Sequence, residues 1–325
     1  MFGKLLAAIA LVVPAVLPQS AVAQPAWPSK PVKVIVAGPA GSGTDIVART
    51  VTDSLAKTFG QPFVVDNKAG ANGLLATDAA AKSPNDGYTF LVTYAAAHVV
   101  NPVLLDKVPY DVNKDFAAVS QIGEGGNILL VPANLPVKDL KDFIAYVKAR
   151  PSDELSYGSW GNGSGGHLSM EALKQQAGLK IKHIPYKSTV AANNDLVAGH
   201  IQVAFSAVAS ALPLVKGGRL KAIAVSGTNR VAQLPEVKTM SEQGVSFDLN
   251  AYYAIFAPAG TPAAAINAVN REVNKLLAAP EMSERWSTLG LDVRPTRTPE
   301  QFAEQVKRDL REWGNIVKAG NIKAD

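Results

Sequence analysis

Two short stretches of small residues occupy equivalent places in the two halves of the chain, each between a strand-like run and a helix-like run. The first, Gly38-Pro39-Ala40-Gly41-Ser42-Gly43-Thr44-Asp45, follows Val32 to Val36. The second, Gly158-Ser159-Trp160-Gly161-Asn162-Gly163-Ser164-Gly165-Gly166-His167, follows Leu155 to Tyr157. Glycines at a strand-to-helix turn let backbone amides approach a ligand, and the positive end of the helix dipole lies behind them. Two such cradles predict one anionic ligand held between two lobes.

The side chains in and near these loops suit the same chemistry. Ser42, Thr44, Ser159 and Ser164 can donate hydroxyl hydrogen bonds to a carboxylate, or serve ordinary turns. Asp45 reads as the N-cap of a helix starting at Ile46, and because its charge would repel an anion, any role at the ligand runs through backbone or water. Asn162 fits a left-handed turn. Trp160, Tyr94, Tyr252 and Tyr253 can line a pocket for a flat ligand or pack a core. Ala95-Ala96-Ala97 leaves room beside Tyr94 or ends a tightly packed strand. None of the four histidines shows metal-ligand spacing, and His167 is a candidate because it closes the second loop at a helix start. No metal and no cofactor is expected.

Strand and helix signals alternate along most of the sequence, which predicts parallel sheets covered by helices. Strands are expected at Val32 to Ala37, Phe63 to Val65, Asn127 to Val131, Leu155 to Tyr157, Ile181 to Ile184, Val203 to Phe205, Ala222 to Val225 and Phe247 to Pro258. Helices are expected over Ile46 to Phe59, Leu140 to Arg150, Leu168 to Gln176, Pro262 to Leu277 and Pro299 to Val317. The pattern gives two α/β lobes, with crossings near Gly123 to Gly126 and Val245 to Asn250.

Length and composition agree with such a design: 325 residues, 47% hydrophobic and 18% charged, can bury a full core. The N-terminus reads as an export signal, with Lys4, an apolar stretch from Leu5 to Val16 and Ala21-Val22-Ala23 before Gln24. Cleavage after Ala23 removes Lys4 and takes the formal net charge from +5 to +4. That charge is spread without a dense basic run, so no nucleic-acid partner is expected. With no cysteine, thiolate chemistry, disulfides and cysteine metal sites are excluded. A periplasmic location fits.

Other classes have weaker support. Gly161-x-Gly163-x-x-Gly166 matches a dinucleotide fingerprint, but the acidic residue expected after the next strand is absent from Lys180-Ile181-Lys182-His183-Ile184-Pro185. A secreted hydrolase lacks a Gly-x-Ser-x-Gly elbow.

Further motifs carry a resemblance. They are Trp27-Pro28-Ser29-Lys30-Pro31, Asp86-Gly87-Tyr88-Thr89, His98 with Asn101-Pro102, and Pro109-Tyr110-Asp111 with Lys114-Asp115-Phe116. His183-Ile184-Pro185-Tyr186-Lys187 and Ala257-Pro258-Ala259-Gly260-Thr261-Pro262 follow. With Pro39 to Asp45, this order resembles the Bug family, the periplasmic solute-binding proteins of tripartite tricarboxylate transporters. The resemblance implies an α/β, two-lobed periplasmic binding protein fold of type II style, with the ligand in the interlobe cleft. Residues 1–23 would be the signal peptide, 24–124 with 246–325 the first lobe, and 125–245 the second.

It also implies a monomer that traps a small carboxylate and delivers it to a membrane permease, the loops Pro39 to Asp45 and Ser159 to His167 holding the carboxylate. The same binding fold could instead signal to a membrane sensor kinase. Two departures bear on the ligand. Pro39-Ala40-Gly41-Ser42 stands where members commonly read Pro-Pro-Gly-Gly, and Phe205 is followed by Ser206 where many carry an Asp that would meet an amino group. Together with the tyrosines, this points away from amino acids and towards a bulkier or flatter carboxylate, for which an aromatic dicarboxylate such as terephthalate is the candidate.

Overall fold

The computed structural model describes residues 27–152, 154–247, 251–293, 297–319 and 322. The signal peptide over 1–23 and the part of the second crossing at 248–250 lie outside the described residues.

The chain runs β1 (Val32–Val36), α1 (Gly43–Phe59), β2 (Phe63–Asn67), α2 (Leu74–Ala81), β3 (Thr89–Tyr94), α3 (Asn101–Leu104), β4 (Phe116–Gly125) and β5 (Asn127–Pro132). It continues through α4 (Leu140–Lys148), β6 (Ser156–Ser159), α5 (Gly165–Ala177), β7 (Lys182–Pro185), α6 (Thr189–Ala198), β8 (Val203–Ala207), α7 (Val208–Lys216) and β9 (Leu220–Val225). β10 (Ala251–Pro258), α8 (Ala263–Leu277), α9 (Pro280–Thr288) and α10 (Pro299–Ala319) complete it.

Two five-stranded sheets result, ordered β2-β1-β3-β10-β4 and β7-β6-β8-β5-β9, each covered by helices as an α/β, two-lobed fold. The first passage between them is abrupt: β4 ends at Gly125 and β5 begins at Asn127. At Gly126 an added Cβ would lie 1.6 Å from the Ser226 carbonyl oxygen, so only glycine fits that crossing.

The sheets are mixed, which corrects the expectation of parallel ones. β10 runs antiparallel to β3 and β4, and β5 antiparallel to β8 and β9. β10 re-enters the first sheet from the second lobe, and β5 enters the second sheet straight from β4, so neither is placed by the strand–helix–strand crossover that makes neighbours parallel. The strands that lead into α1, α5 and α6 remain parallel to their neighbours β2, β3, β7 and β8.

Core packing fixes these strands. Val34 and Val36 of β1 bury against Val47, Val51 and Leu55 of α1, while Ile35 faces the opposite layer. The apolar spacing on α1 is the one expected of a helix resting on a sheet, and Gly60 ends it in a left-handed conformation (φ 66°). Trp286 of α9 is fully buried and donates its indole N–H to the Ile122 carbonyl at 2.8 Å, tying the C-terminal helices to β4. Ala95-Ala96-Ala97, read as leaving room beside Tyr94 or ending a strand, instead opens a wide helical turn over Ala96 to Val100 that leads into α3.

Candidate functional site

Strands β1, β6, β7 and β8 all end at one cleft, and each hands over to a helix there. A cavity of about 360 Å³ opens between the sheets and is lined by residues of both, including Gly43 of α1, Gly165 of α5, Thr189 of α6 and Val208 of α7. Four helix N-termini therefore meet one space, at the carboxyl ends of the strands where α/β folds hold their ligands. No charged side chain lines the cavity among the described residues. Its polarity comes from backbone amides, from Asn72, Asn127, Thr189 and Ser210, and from Tyr94, Tyr253 and Trp160.

The two glycine loops are built alike. In the first, Ser42 is the N-cap of α1 and accepts the Asp45 amide hydrogen at 3.3 Å, which corrects the assignment of that role to Asp45. Asp45 is the third helical residue, and its carboxylate accepts from the Gly41 amide at 2.8 Å, Arg49 Nε at 3.0 Å and Asn67 Nδ2 at 2.9 Å. Burial alone would raise its pKa, but these three hydrogen bonds and the Arg49 charge outweigh that and hold it below the usual carboxylate range. Asp45 is thus spent inside the loop.

In the second loop Ser164 caps α5 and accepts the His167 amide at 3.3 Å, while Nδ1 of His167 accepts from the Gly163 amide at 3.0 Å. His167 is the third helical residue and the counterpart of Asp45. Gly41 and Gly163 hold matching left-handed conformations, φ 78° and 69°, and it is these glycines with Gly161, not Asn162, that turn the backbone. Trp160 packs against the start of α5: a Cβ at Gly166 would stand 2.4 Å from its ring.

Behind this loop His183 stacks on His167 at 4.1 Å and on Tyr157 at 4.7 Å. Its Nε2 meets Ser159 Oγ at 2.8 Å. Burial lowers the His183 pKa to about 3, and the neighbouring His167 ring and Lys174 act in the same direction. Ser159 is fully buried and also bonds Gly161, so this serine–histidine pair braces the loop rather than facing the cleft.

Of the residues singled out in the sequence, Gly43, Tyr94, Trp160, Ser164 and Gly165 line the cavity, as do Ala95, Ala96, Tyr252 and Tyr253. Pro39, Ala40 and Gly41 are exposed and are not among the cavity-lining residues, and Thr44, Asp45 and His167 are buried in the loop frames. Ser159, Gly161, Asn162 and Gly163 shape the second loop without lining the cavity. Ser206 is buried one layer back, where its hydroxyl accepts from Asn193 Nδ2 at 3.0 Å.

Sequence reasoning missed Asn72, Asn127, the first turns of α6 and α7, and Leu289 to Leu291. The N-cap serine at Ser188 before Thr189 is a signal that could have revealed α6. Asn72 offered none, since its role depends on Tyr94 and Asn101, 22 and 29 residues away.

Known proteins share this fold. Residues 47–322 match the family described as Tripartite tricarboxylate transporter family receptor. The chain belongs to that family. It is 32% identical to Protein BugT of Bordetella pertussis over 322 residues, 98% of both chains. Among solved structures, a Rhodopseudomonas palustris protein with adipate superposes with a TM-score of 0.81 at 30% identity, over 92% of this chain and 100% of that one. MatC from the same organism, with bound malate, gives 0.76 at 32% identity, over 90% and 100%. The Bug-family resemblance read from the motifs is therefore correct, and this family's receptors are solute-binding proteins.

Proposed function

We propose that this Bug-family receptor captures a small carboxylate in the interlobe cavity, in the periplasm, and delivers it to the membrane permease of a tripartite tricarboxylate transporter. The observation that carries this reading is the meeting of four helix N-termini at a cavity with no charged lining residue among the described ones. Each terminus presents unpaired amide hydrogens and about half a positive charge, so an anion is held without a counter-ion. An ammonium group there would lose its water and gain no carboxylate.

Residues 24–124 with 246–325 form one gripping lobe in this reading and 125–245 the other, after cleavage behind Ala23. Pro39 to Asp45 and Ser159 to His167 act as the frames that aim the α1 and α5 amides. The hydroxyl of Tyr253 supports the first frame: it sits 2.7 Å from where a Cβ on Gly43 would be. The aromatic walls favour a flat ligand, with terephthalate as the reference compound. The adipate and malate complexes of relatives support the carboxylate class.

A thermal-shift panel tests the reading, because a specific ligand raises the midpoint by mass action. Terephthalate, adipate or malate should raise it. Stabilisation by amino acids alone would overturn it.

A further inference from the structure

Residues 70–73 hold an unusual backbone: Gly70, Ala71, Asn72 and Gly73 all have positive φ, at 125°, 46°, 49° and 83°. Left-handed geometry at two consecutive non-glycine residues is unfavourable and persists only where surroundings enforce it. The enforcement comes from Asn101, which is 2% exposed. Its Nδ2 donates to the Asn72 carbonyl at 3.0 Å and to the Ala97 carbonyl at 3.3 Å.

Those two bonds fix the direction of a whole chain of hydrogens. Carbonyl oxygens only accept, so the Asn101 nitrogen must face them and Asn101 Oδ1 must point to Asn72. Asn72 Nδ2 then donates to Asn101 Oδ1 at 3.1 Å, which leaves Asn72 Oδ1 to accept the Tyr94 hydroxyl hydrogen at 2.9 Å. The Tyr94 oxygen has given away its only hydrogen. Burial holds that hydroxyl neutral, with its pKa pushed up to about 12. It therefore presents lone pairs alone at the cavity wall, while Asn72 Nδ2 keeps one N–H beyond its bond to Asn101.

We infer that the ligand of this site carries a hydroxyl group beside its carboxylate, and that Tyr94 and Asn72 read it. A ligand hydroxyl donates to the Tyr94 oxygen and accepts from Asn72 Nδ2, matching an acceptor and a donor with one group. A carboxylate at that point would face lone pairs, and an ammonium would lie in a cavity with no acidic lining residue among the described ones. The inference rests on the carboxylate reading and narrows it to hydroxy acids.

Calorimetric titration of matched acids tests it: terephthalate against 2-hydroxyterephthalate, and succinate against malate and methoxysuccinate. The hydroxylated member should bind about tenfold tighter or better, because a site built to pair a hydroxyl penalises its absence. Methoxysuccinate, which keeps the oxygen but cannot donate, should bind no better than succinate. In Tyr94→Phe the preference should shrink to about threefold or less.

Equal binding of plain and hydroxylated acids overturns the inference and leaves the carboxylate reading standing. A preference that persists unchanged in Tyr94→Phe overturns it too. If none of the acids binds, the carboxylate reading itself fails and the inference with it. Should Tyr94→Phe not fold, the wild-type comparison with the methyl ether decides alone.

Discussion

Gly163 donates its amide hydrogen to Nδ1 of His167 across 3.0 Å. The first lobe repeats this bond with a different acceptor, Gly41 to the Asp45 carboxylate at 2.8 Å. Both bonds tie the residue before an N-cap serine to the third residue of the helix, and so aim the first helical amides at the cleft. An imidazole and a carboxylate serve one purpose because both present a lone pair at that spot. For His167 this places the ring hydrogen on Nε2, the tautomer that leaves Nδ1 free to accept.

Replacement His167→Leu should leave the buried Gly163 amide unpaired. Stability is expected to fall by about 1–3 kcal/mol in urea unfolding, with a matching loss of ligand affinity. His167→Asn offers an oxygen at the position Asp45 uses and should recover part of both. Equal loss in the two variants would show that ring packing, not the hydrogen bond, is what the loop needs.

The glycines of the two frames should respond differently to alanine. A Cβ on Gly163 would lie 2.3 Å from Leu104 Cδ2 in the opposite lobe, whereas one on Gly41 meets nothing within 4 Å. Gly163→Ala should therefore hinder closure and weaken ligand binding well beyond its effect on folding. Gly41→Ala carries only the left-handed backbone penalty, about 1–2 kcal/mol, and should bind nearly as the parent does. Calorimetry and thermal melts on both proteins separate the effects.

Asp309 on α10 is 6% exposed, and burial raises its pKa to about 6, with the Arg308 charge and the Gln305 hydrogen bond recovering only part. A carboxyl whose folded pKa exceeds its unfolded value of 3.8 costs stability once ionised: the penalty is absent below pH 3.8 and complete above about 6. Asp309→Asn should raise the melting temperature at pH 7, by a stability gain of up to about 3 kcal/mol. At pH 3.5 it should gain nothing.

His98 titrates in the opposite sense. It is fully buried, stacks on Phe256 at 3.7 Å, and neither ring nitrogen has a hydrogen-bond partner among the described residues. Burial drops its pKa from 6.5 to about 3, so the unfolded chain binds the proton first as pH falls. Stability should decline through that window by about 1.4 kcal/mol per pH unit. In His98→Leu the difference between pH 7 and pH 5 should shrink by about 2 kcal/mol, read from urea curves at the two pH values.

The local parts of the site were legible in the sequence. Val32 to Val36 before a glycine turn, and Gly60 after the apolar spacing of α1, carry their structure in neighbouring residues. Strand β10 was legible as a strand but not as an antiparallel insertion between β3 and β4, because its partners lie more than a hundred residues away. The N-cap fell three residues from its expected place, since serine and aspartate both cap well and only geometry decides between Ser42 and Asp45. Asn72 was invisible for a further reason: its left-handed backbone is imposed by Asn101 rather than by its own sequence.

The central claim is a carboxylate gripped from both lobes by helix N-termini. Titration calorimetry on protein unfolded and refolded to remove retained ligand tests it most directly, with hydroxylated and plain dicarboxylates, aspartate and a nucleotide as titrants. The account predicts a carboxylate binding at about micromolar affinity or tighter, with that affinity lost in Gly163→Ala. Binding of aspartate or the nucleotide in place of every simple carboxylate, or affinity undiminished in Gly163→Ala, would contradict it.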